Sequence, residues 1–335
     1  MFVETYVDAV IGLQFGDEGK GKIVQALLMH EEYDICARFN GGPNAGHTIY
    51  LDGKKHVHHQ LPVSALFPNV RTYIGPGTVL DWGRLEDEIE YDRDNFLNRL
   101  HISPNVPLIS QDNKNSDNYQ GSTKRGIAPA YADFYGRKSA LAGDLTLQDS
   151  TGREIIQSIE SCQSMLLEGA QGYYLDPWHG TYPWTSSSLI APSAAAATFG
   201  FEPRKFRKIY GVAKPYETAV GHHPKFNLHK SASFDALATE GNEFGATTGR
   251  ARQVQYLNLD RLITAANKTS TTHLVFNKCD VFETVGDFTY VFQNQLCTFD
   301  SFIEFKEELI ELLFNYCYTL KHIQWFSSPY PEKVY

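Results

Sequence analysis

Short apolar runs at 7–11, 34–38, 164–167, 208–213 and 273–277 stand out along this chain of 335 residues. Runs of this length, flanked by glycine and polar turns, read as buried strands, several of them parallel. A strand covered on both faces loses its polar alternation. Ile23 to Leu28 continues the first run at helical spacing, and Leu259 to Ala266 and Phe302 to Leu320 read as amphipathic helices. Asp81 stands where it would cap a helix carrying Leu85, Ile89 and Phe96. His47 to His59 reads as a hairpin turning at Asp52-Gly53. The polar stretch Ser110 to Gly121 is expected to be a mobile surface loop that orders on ligand binding. Strands alternating with helices predict an α/β fold, a mainly parallel central sheet flanked by helices. No internal repeat and no linker interrupts it, so residues 1–335 read as one domain.

Composition narrows the function. Hydrophobic residues at 42% and aromatics at 13% suffice for a sizeable core. A net charge of −9 disfavours non-specific binding to nucleic acid or to anionic membranes. An anionic ligand must therefore find local basic clusters. No apolar run is long enough to span a bilayer and no signal peptide opens the chain, which predicts a cytoplasmic protein, in the host cytoplasm if viral. Cys36, Cys162, Cys279, Cys297 and Cys317 are scattered and odd in number, and read as reduced thiols.

The chemistry concentrates in Gly12-Leu13-Gln14-Phe15-Gly16-Asp17-Glu18-Gly19-Lys20-Gly21-Lys22. Strand, glycine-rich loop and helix make a phosphate cradle: backbone N–H groups, a helix dipole and lysine charge all favour an anion. Gly16 to Lys22 has Walker spacing, but Ile23 stands where Ser or Thr should hold Mg²⁺. The acidic pair Asp17-Glu18 would repel phosphate unless a metal or a catalytic proton explained it. The loop therefore points to chemistry rather than to a nucleotide switch.

This loop resembles the N-terminal signature of adenylosuccinate synthetases. Further segments match that family in order: Asn40-Gly41-Gly42-Pro43-Asn44-Ala45-Gly46-His47-Thr48, Gly121 to Tyr131, Glu168-Gly169-Ala170-Gln171-Gly172 with His179-Gly180-Thr181-Tyr182-Pro183, and Glu243 to Arg252. Lys278-Cys279-Asp280 and Ser328-Pro329 are weaker echoes. The resemblance implies a P-loop-related, adenylosuccinate-synthetase-like fold and a ligase of purine biosynthesis. Such an enzyme phosphorylates O6 of a 6-oxopurine nucleotide with a nucleoside triphosphate, and L-aspartate then displaces the phosphate.

The resemblance also assigns roles. Asp17 matches the base on purine N1 and a Mg²⁺ ligand, with the Gly46 carbonyl completing the metal shell. His47 matches the general acid near the β,γ-bridge; without its setting it would pass for one structural histidine among twelve. Asn44, Thr123, Arg137, Gln171, Ser186 and Arg250 match contacts to the acceptor nucleotide. Arg137 implies a homodimer, since in such enzymes it reaches the neighbouring subunit's nucleotide. Thr247, Thr248, Arg250 and Arg252 match the loop that holds L-aspartate, where guanidinium forks suit two carboxylates. Gly16, Glu18, Gly19, Lys20, Gly21, Thr48, Lys278, Asp280 and Ser328 match the triphosphate site. The Lys278–Asp280 pair favours GTP, although Phe326-Ser327-Ser328 departs from the usual wall and leaves ATP or dATP open. His56, His58 and His59 suit either a solvated strand or a metal site.

Two departures bear on the acceptor. Leu189-Ile190-Ala191-Pro192-Ser193-Ala194 replaces the family's Asn-Thr-Thr-Ala-Gly-Gly, and Ala219 stands where arginine is usual. Compact relatives in bacteriophages condense aspartate onto dGMP, towards 2-aminoadenine DNA. Guanine carries the same N1–H and O6 as hypoxanthine, so the reaction centre need not differ. These departures favour dGMP by a narrow margin over IMP. The alternative from another class is a non-catalytic P-loop-like nucleotide sensor of GTPase type, which would need Ser or Thr after Lys22 and switch-loop signatures.

Overall fold

The computed structural model describes residues 6–51, 53–119, 122–159, 162–226, 229–244, 251–328 and 330–335. The first half forms β1 (Tyr6–Gly12), α1 (Lys20–His30), β2 (Ile35–Arg38), β3 (His47–Leu51), β4 (Lys54–His58) and β5 (Arg71–Ile74). Helices α2 (Trp82–Ile89) and α3 (Arg93–Leu97), β6 (Leu100–Ile102), α4 (Gln111–Ser116), α5 (Ile127–Tyr135) and β7 (Ser164–Gly172) follow. Then come α6 (Pro192–Phe199), β8 (Phe206–Ala213), β9 (Tyr216–Val220), α7 (Ala232–Glu240), β10 (Arg252–Asn258) and α8 (Leu259–Lys268). The chain finishes with β11 (His273–Phe276), α9 (Cys279–Val285), β12 (Phe288–Phe292), β13 (Gln295–Phe299), α10 (Phe302–Tyr316) and β14 (His322–Trp325).

The main sheet has eight strands in the order β14-β11-β8-β1-β7-β2-β5-β6. Every neighbouring pair in it is parallel. Central β1 shows why its run is apolar. Val7, Ala9 and Ile11 face a core shared with Leu262 of α8 and Leu309 of α10. Val10 faces the opposite core with Ile23, Val24 and Leu27 of α1. Both faces are covered, as a parallel sheet requires. A second sheet, β13-β12-β10-β9, shares the first core through Tyr290, Val254 and Ala219. Strands β3 and β4 form the expected hairpin.

Four expectations change. Ser110 to Gly121 is not wholly loop: α4 forms there because Ser110 Oγ accepts the Asn113 N–H while Asn113 Oδ1 accepts the Ser110 N–H. Gly121 lies outside the described residues. Asp81 makes no side-chain cap to α2; its carboxylate pairs with Lys114 at 2.8 Å. The helix it precedes breaks at Glu90–Asp92 into a 3₁₀ turn. The first apolar run also hides a charge. Asp8 is fully buried, accepting from Tyr33 Oη at 2.7 Å and Arg207 Nε at 3.1 Å.

All five cysteines are free thiols. Among the described residues, no helix is long and apolar enough to cross a membrane.

Candidate active site

The glycine-rich loop, the Asn40 to Thr48 segment, Gln171-Gly172 and Lys278 stand at or just beyond the carboxyl ends of β1, β2, β7 and β11, where an open parallel sheet places its ligand crevice. After β1 the backbone enters the left-handed region at Gly16, Asp17 and Gly19, with φ of 87°, 59° and 87°. Glycine adopts this at little cost; Asp17 does so as a strained, non-glycine exception. The acidic pair then divides. Glu18 is fully buried and turned into the loop. Its Oε1 accepts the N–H groups of Gln14 at 3.1 Å and Gly16 at 2.9 Å, and its Oε2 pairs with Lys20 Nζ at 2.7 Å. Glu18 therefore holds the cradle's shape, and Lys20 neutralises it. Glycine is needed around that carboxylate: a Cβ on either Gly12 or Gly172 would stand 2.3 Å from a Glu18 oxygen.

Lys22, at the Walker position, faces elsewhere. Its Nζ donates to the Ser328 carbonyl at 2.5 Å and lies 5.0 Å over the Phe326 ring. Burial lowers its pKa to about 8. It fastens the start of α1 to the C-terminal wall.

Asp17 points outward and pairs with Arg252 Nε at 2.8 Å. The same guanidinium binds Glu243 through Nη1. Glu243 is buried and also meets Lys214 Nζ at 3.1 Å, Tyr216 Oη at 2.7 Å and Lys278 Nζ at 3.7 Å. Burial alone would raise the Glu243 pKa, but Lys214, Lys278 and Arg252 bring it down to about 2. Burial lowers Lys214 to about 8 against the pull of Glu243.

His47 begins β3 and packs against Gly21 of α1, where a Cβ would lie 3.7 Å away. It is buried, with Nδ1 2.6 Å from Glu168 Oε1 as a close ion-pair contact. Its Nε2 stands 3.4 Å from Arg38 Nη1. Burial holds the imidazole below its ordinary value, Glu168 opposing and Arg38 assisting. Glu168 stays ionised despite its own burial because His47, Arg38 and the Val63 N–H favour the charge. With Nε2 facing the Arg38 guanidinium, an acid role for His47 requires the ring to turn.

Gln171 lies beside Gly41. β1 and β7 slip register between Val10↔Glu168 and Gly12↔Gly172, and the irregularity leaves Gln171 at φ 59° at the carboxyl end of β7. A Cβ on Gly41 would meet Gln171 Nε2 at 3.2 Å, and one on Gly16 would meet Gln171 Cα at 4.0 Å. Tyr131 Oη reaches the carbonyl of Gly77 at 2.8 Å and accepts from Ser188 Oγ at 3.4 Å. This joins α5 to the serine loop. Ser186 Oγ bonds locally, accepting the Ser188 N–H at 3.2 Å. Asp176 shapes that loop by accepting from Ile190 N at 2.9 Å and His179 Nδ1 at 3.1 Å. Asp117 shapes the Thr123 turn through Ser122 Oγ at 2.6 Å and Gly126 N at 2.8 Å. Asn44 and Gly46 are partly buried in the turn before His47, and Thr48 is exposed on the hairpin.

Arg137, exposed beyond the end of α5, stands at φ 59°. Lys278 donates to the Gly241 carbonyl, Asp280 lies in the first turn of α9, and Ser328 Oγ accepts the Tyr330 N–H at 3.1 Å. Thr247, Thr248 and Arg250 lie outside the described residues. The described histidines make no metal centre: no group of three or more His, Cys, Asp or Glu side chains among the described residues could hold an ion. His58 is instead buried, with a pKa lowered by that burial to about 4, and His59 Nδ1 stands 2.7 Å from the Ala45 carbonyl. Ala219 packs in the core opposite Gln253. Sequence reasoning missed Arg38, Glu168, Lys214 and Glu243. A charge ending an apolar run, as Arg38 does, was the available signal.

The adenylosuccinate synthetase family profile matches residues 9–161 and 147–293. The adenylosuccinate synthetase of Christiangramia forsetii is 34% identical over 82% of this chain and 78% of its own length. That of Helicobacter pylori is 32% identical over 82% and 79%. Among solved structures, fully ligated adenylosuccinate synthetase from Plasmodium falciparum superposes with a TM-score of 0.85, covering 98% of this chain and 99% of that one at 24% identity. Cyanophage S-2L succinoaminodeoxyadenylate synthetase, bound to dGMP and dATP, gives 0.75 over 99% and 95% at 20% identity. The chain belongs to the adenylosuccinate synthetase family and is a carbon–nitrogen ligase that joins L-aspartate to a 6-oxopurine nucleotide.

Proposed function

We propose that Asp17 is the base and Arg252 the carboxylate-binding arginine of this ligase, working within one domain of residues 1–335 in the cytoplasm. The observation that supports the reading is their direct contact at 2.8 Å, which joins the two side chains that proton removal and aspartate binding would use. Asp17 takes the N1 proton, O6 attacks the γ-phosphorus, and a nucleoside diphosphate leaves. The aspartate amine then attacks C6 and expels phosphate. His47, turned from Arg38, donates to the departing diphosphate. Asn44, Thr123, Gln171 and Ser186 hold the acceptor, together with Arg250. Thr247, Thr248 and Arg250 complete the aspartate pocket. Gly16, Glu18, Gly19, Lys20, Gly21, Thr48, Lys278, Asp280 and Ser328 form the triphosphate pocket, with Glu18 acting through loop shape.

Mg²⁺ suits the donors present. Asp17 offers a partly exposed carboxylate and Gly46 a backbone carbonyl, and the described residues build no cage of their own. Mg²⁺ is commonly held by one or two protein oxygens plus phosphates and water. When bound it would supply neutralisation of phosphate charge.

For the acceptor we favour dGMP. The support is an intact reaction centre beside the replaced stretch Leu189 to Ala194, which here closes on Asp176 through Ile190 and starts α6 at Pro192. The fold neighbour from cyanophage S-2L carries dGMP and dATP. IMP is the second reading, favoured by the burial of Ala219 and by the names of the relatives. Competition decides. With dGMP and IMP in one tube, and GTP, ATP or dATP as donor, mass spectrometry of the adducts is expected to give dGMP a kcat/KM at least equal to that of IMP. An unpartnered buried amino group costs about 1–3 kcal/mol, so a pocket built for IMP alone would reject dGMP. Product from IMP only would overturn the dGMP assignment.

Arg137 carries the homodimer reading. Inactive Arg137→Leu and inactive Asp17→Asn proteins should partly rescue each other on mixing, because a mixed dimer holds one intact shared site. No recovery from demonstrably mixed dimers would place each pocket within one chain.

A further inference from the structure

The geometry points to Glu243 as a positioning residue, a single buried carboxylate that holds Arg252 of the aspartate pocket and Lys278 of the triphosphate pocket in place together. This rests on the roles proposed above for Arg252 and Lys278.

Glu243 stands at the neck of the segment that carries the aspartate motif. The Arg252 N–H donates to its carbonyl at 3.0 Å, and Phe244 bridges Ala251. Its own N–H donates to Ala238 O at 2.9 Å, anchoring the neck to α7. The side chain then divides its oxygens. Oε2 takes Arg252 Nη1. Oε1 takes Lys214 Nζ at 3.1 Å and Tyr216 Oη at 2.7 Å, with Lys278 Nζ at 3.7 Å. Lys214 is itself fixed, since its Nζ donates to Thr218 Oγ1 at 2.6 Å. Its backbone is clamped by Gln14, whose amide donates to Lys214 O at 3.0 Å and accepts from Lys214 N at 3.0 Å. Glu243 thus ties the P-loop strand, the neck of the aspartate segment and the start of α9 through one group.

The charges give this arrangement a purpose. Lys214, Arg252 and Lys278 meet two carboxylates, Glu243 and Asp17. Among the described residues the cluster carries an excess positive charge in a poorly solvated place, which favours an incoming anion. Without Glu243, Arg252 has Asp17 as its remaining described partner and collapses onto the base, while Lys278 loses its counter-charge and is left with the Gly241 carbonyl. Side chains that must be ordered on binding weaken affinity, and preorganised ones do not.

The test is steady-state kinetics of the full-length enzyme carrying Glu243→Gln, with KM measured for each substrate. KM for L-aspartate and KM for the triphosphate are both expected to rise, by about tenfold or more for aspartate, as when one member of a buried charged pair is removed. KM for the acceptor nucleotide should stay within about twofold. Because Glu243→Gln leaves Lys214 buried without its counterion, the double variant Lys214→Met, Glu243→Gln is measured as well. Removing both partners relieves the uncompensated charge and keeps the fold. Unchanged KM values in the folded variants overturn the proposal, as does a rise confined to one pocket or an equal rise for the acceptor. Arg252→Leu, run alongside, separates the readings. An unchanged aspartate KM there overturns the pocket assignment and this proposal with it. A raised KM there with an unchanged one in Glu243→Gln overturns the positioning role alone.

Discussion

Asp17→Asn is expected to abolish turnover while nucleotide binding persists. The substitution keeps the shape and the backbone: asparagine, like aspartate, tolerates the left-handed conformation that this position adopts at φ 59°. It removes the ability to take a proton from N1. Loss of an essential base costs ~10²- to 10⁴-fold in rate. The cradle itself should survive, because its shape depends on Glu18, whose carboxylate holds the Gln14 and Gly16 N–H groups, and not on Asp17. Arg252 keeps Glu243 as a partner, so no buried charge is stranded. Product formation followed by mass spectrometry, beside titration calorimetry with acceptor and triphosphate, checks both halves. Near-normal kcat would remove Asp17 from the role of base, and a loss of all nucleotide affinity would mean that the carboxylate holds the loop after all.

The fold was legible wherever burial on two faces wrote itself into the sequence. The runs at 34–38, 208–213 and 273–277 became β2, β8 and β11, with ends shifted by one or two residues. Strands with mixed composition escaped. β9 and β10 carry Glu217, Arg252, Gln253 and Gln255 among their apolar residues, and their polar members are satisfied by partners far away in sequence. Gln255 donates to Glu217, and Arg261 pairs with the same carboxylate. No local window can show that. Asp8 escaped for the same reason, since its partners Tyr33 and Arg207 come from other elements. Ser110 to Gly121 misled by its polarity: a helix of such residues is held by its capping box and by the Asn113 contact to Asp133 at 2.7 Å, not by an apolar face.

The site was legible as motifs and illegible as orientations. The sequence places Asp17 and Glu18 side by side, yet a backbone left-handed at Gly16, Asp17 and Gly19 sends one carboxylate out and the other in. Walker spacing drew attention to Lys22, but burial beside Phe326 gives it to the C-terminal wall. Glu168 and Glu243 were visible only as letters within motifs. Their roles arise because parallel strand order brings β7 beside β2, and because the ends of β8, β10 and β11 meet at one carboxylate. Ala219 was read as a departure favouring dGMP, and its strand register turns it into the core.

Arg252→Leu should raise KM for L-aspartate steeply while leaving a folded protein. Two carboxylates on the substrate need cationic partners, and Arg252 is the described guanidinium in contact with the proposed base. Leucine keeps much of the apolar stem but removes every donor. Truncating one member of a desolvated charge pair costs about 2–5 kcal/mol, which at about 1.4 kcal/mol per decade is roughly 30-fold or more in KM. The protein should tolerate the change because neither acidic partner is stranded: Glu243 retains Lys214 and Tyr216, and the Asp17 side chain is already 31% exposed. The kcat at saturating aspartate separates binding from chemistry. If Arg252 only binds substrate, kcat is preserved and KM carries the loss; if it also orients Asp17, both change. An aspartate KM equal to that of the unsubstituted enzyme would move the substrate's carboxylates away from this arginine, and the contact between Arg252 and Asp17 would then be a structural tie between the P-loop and β10.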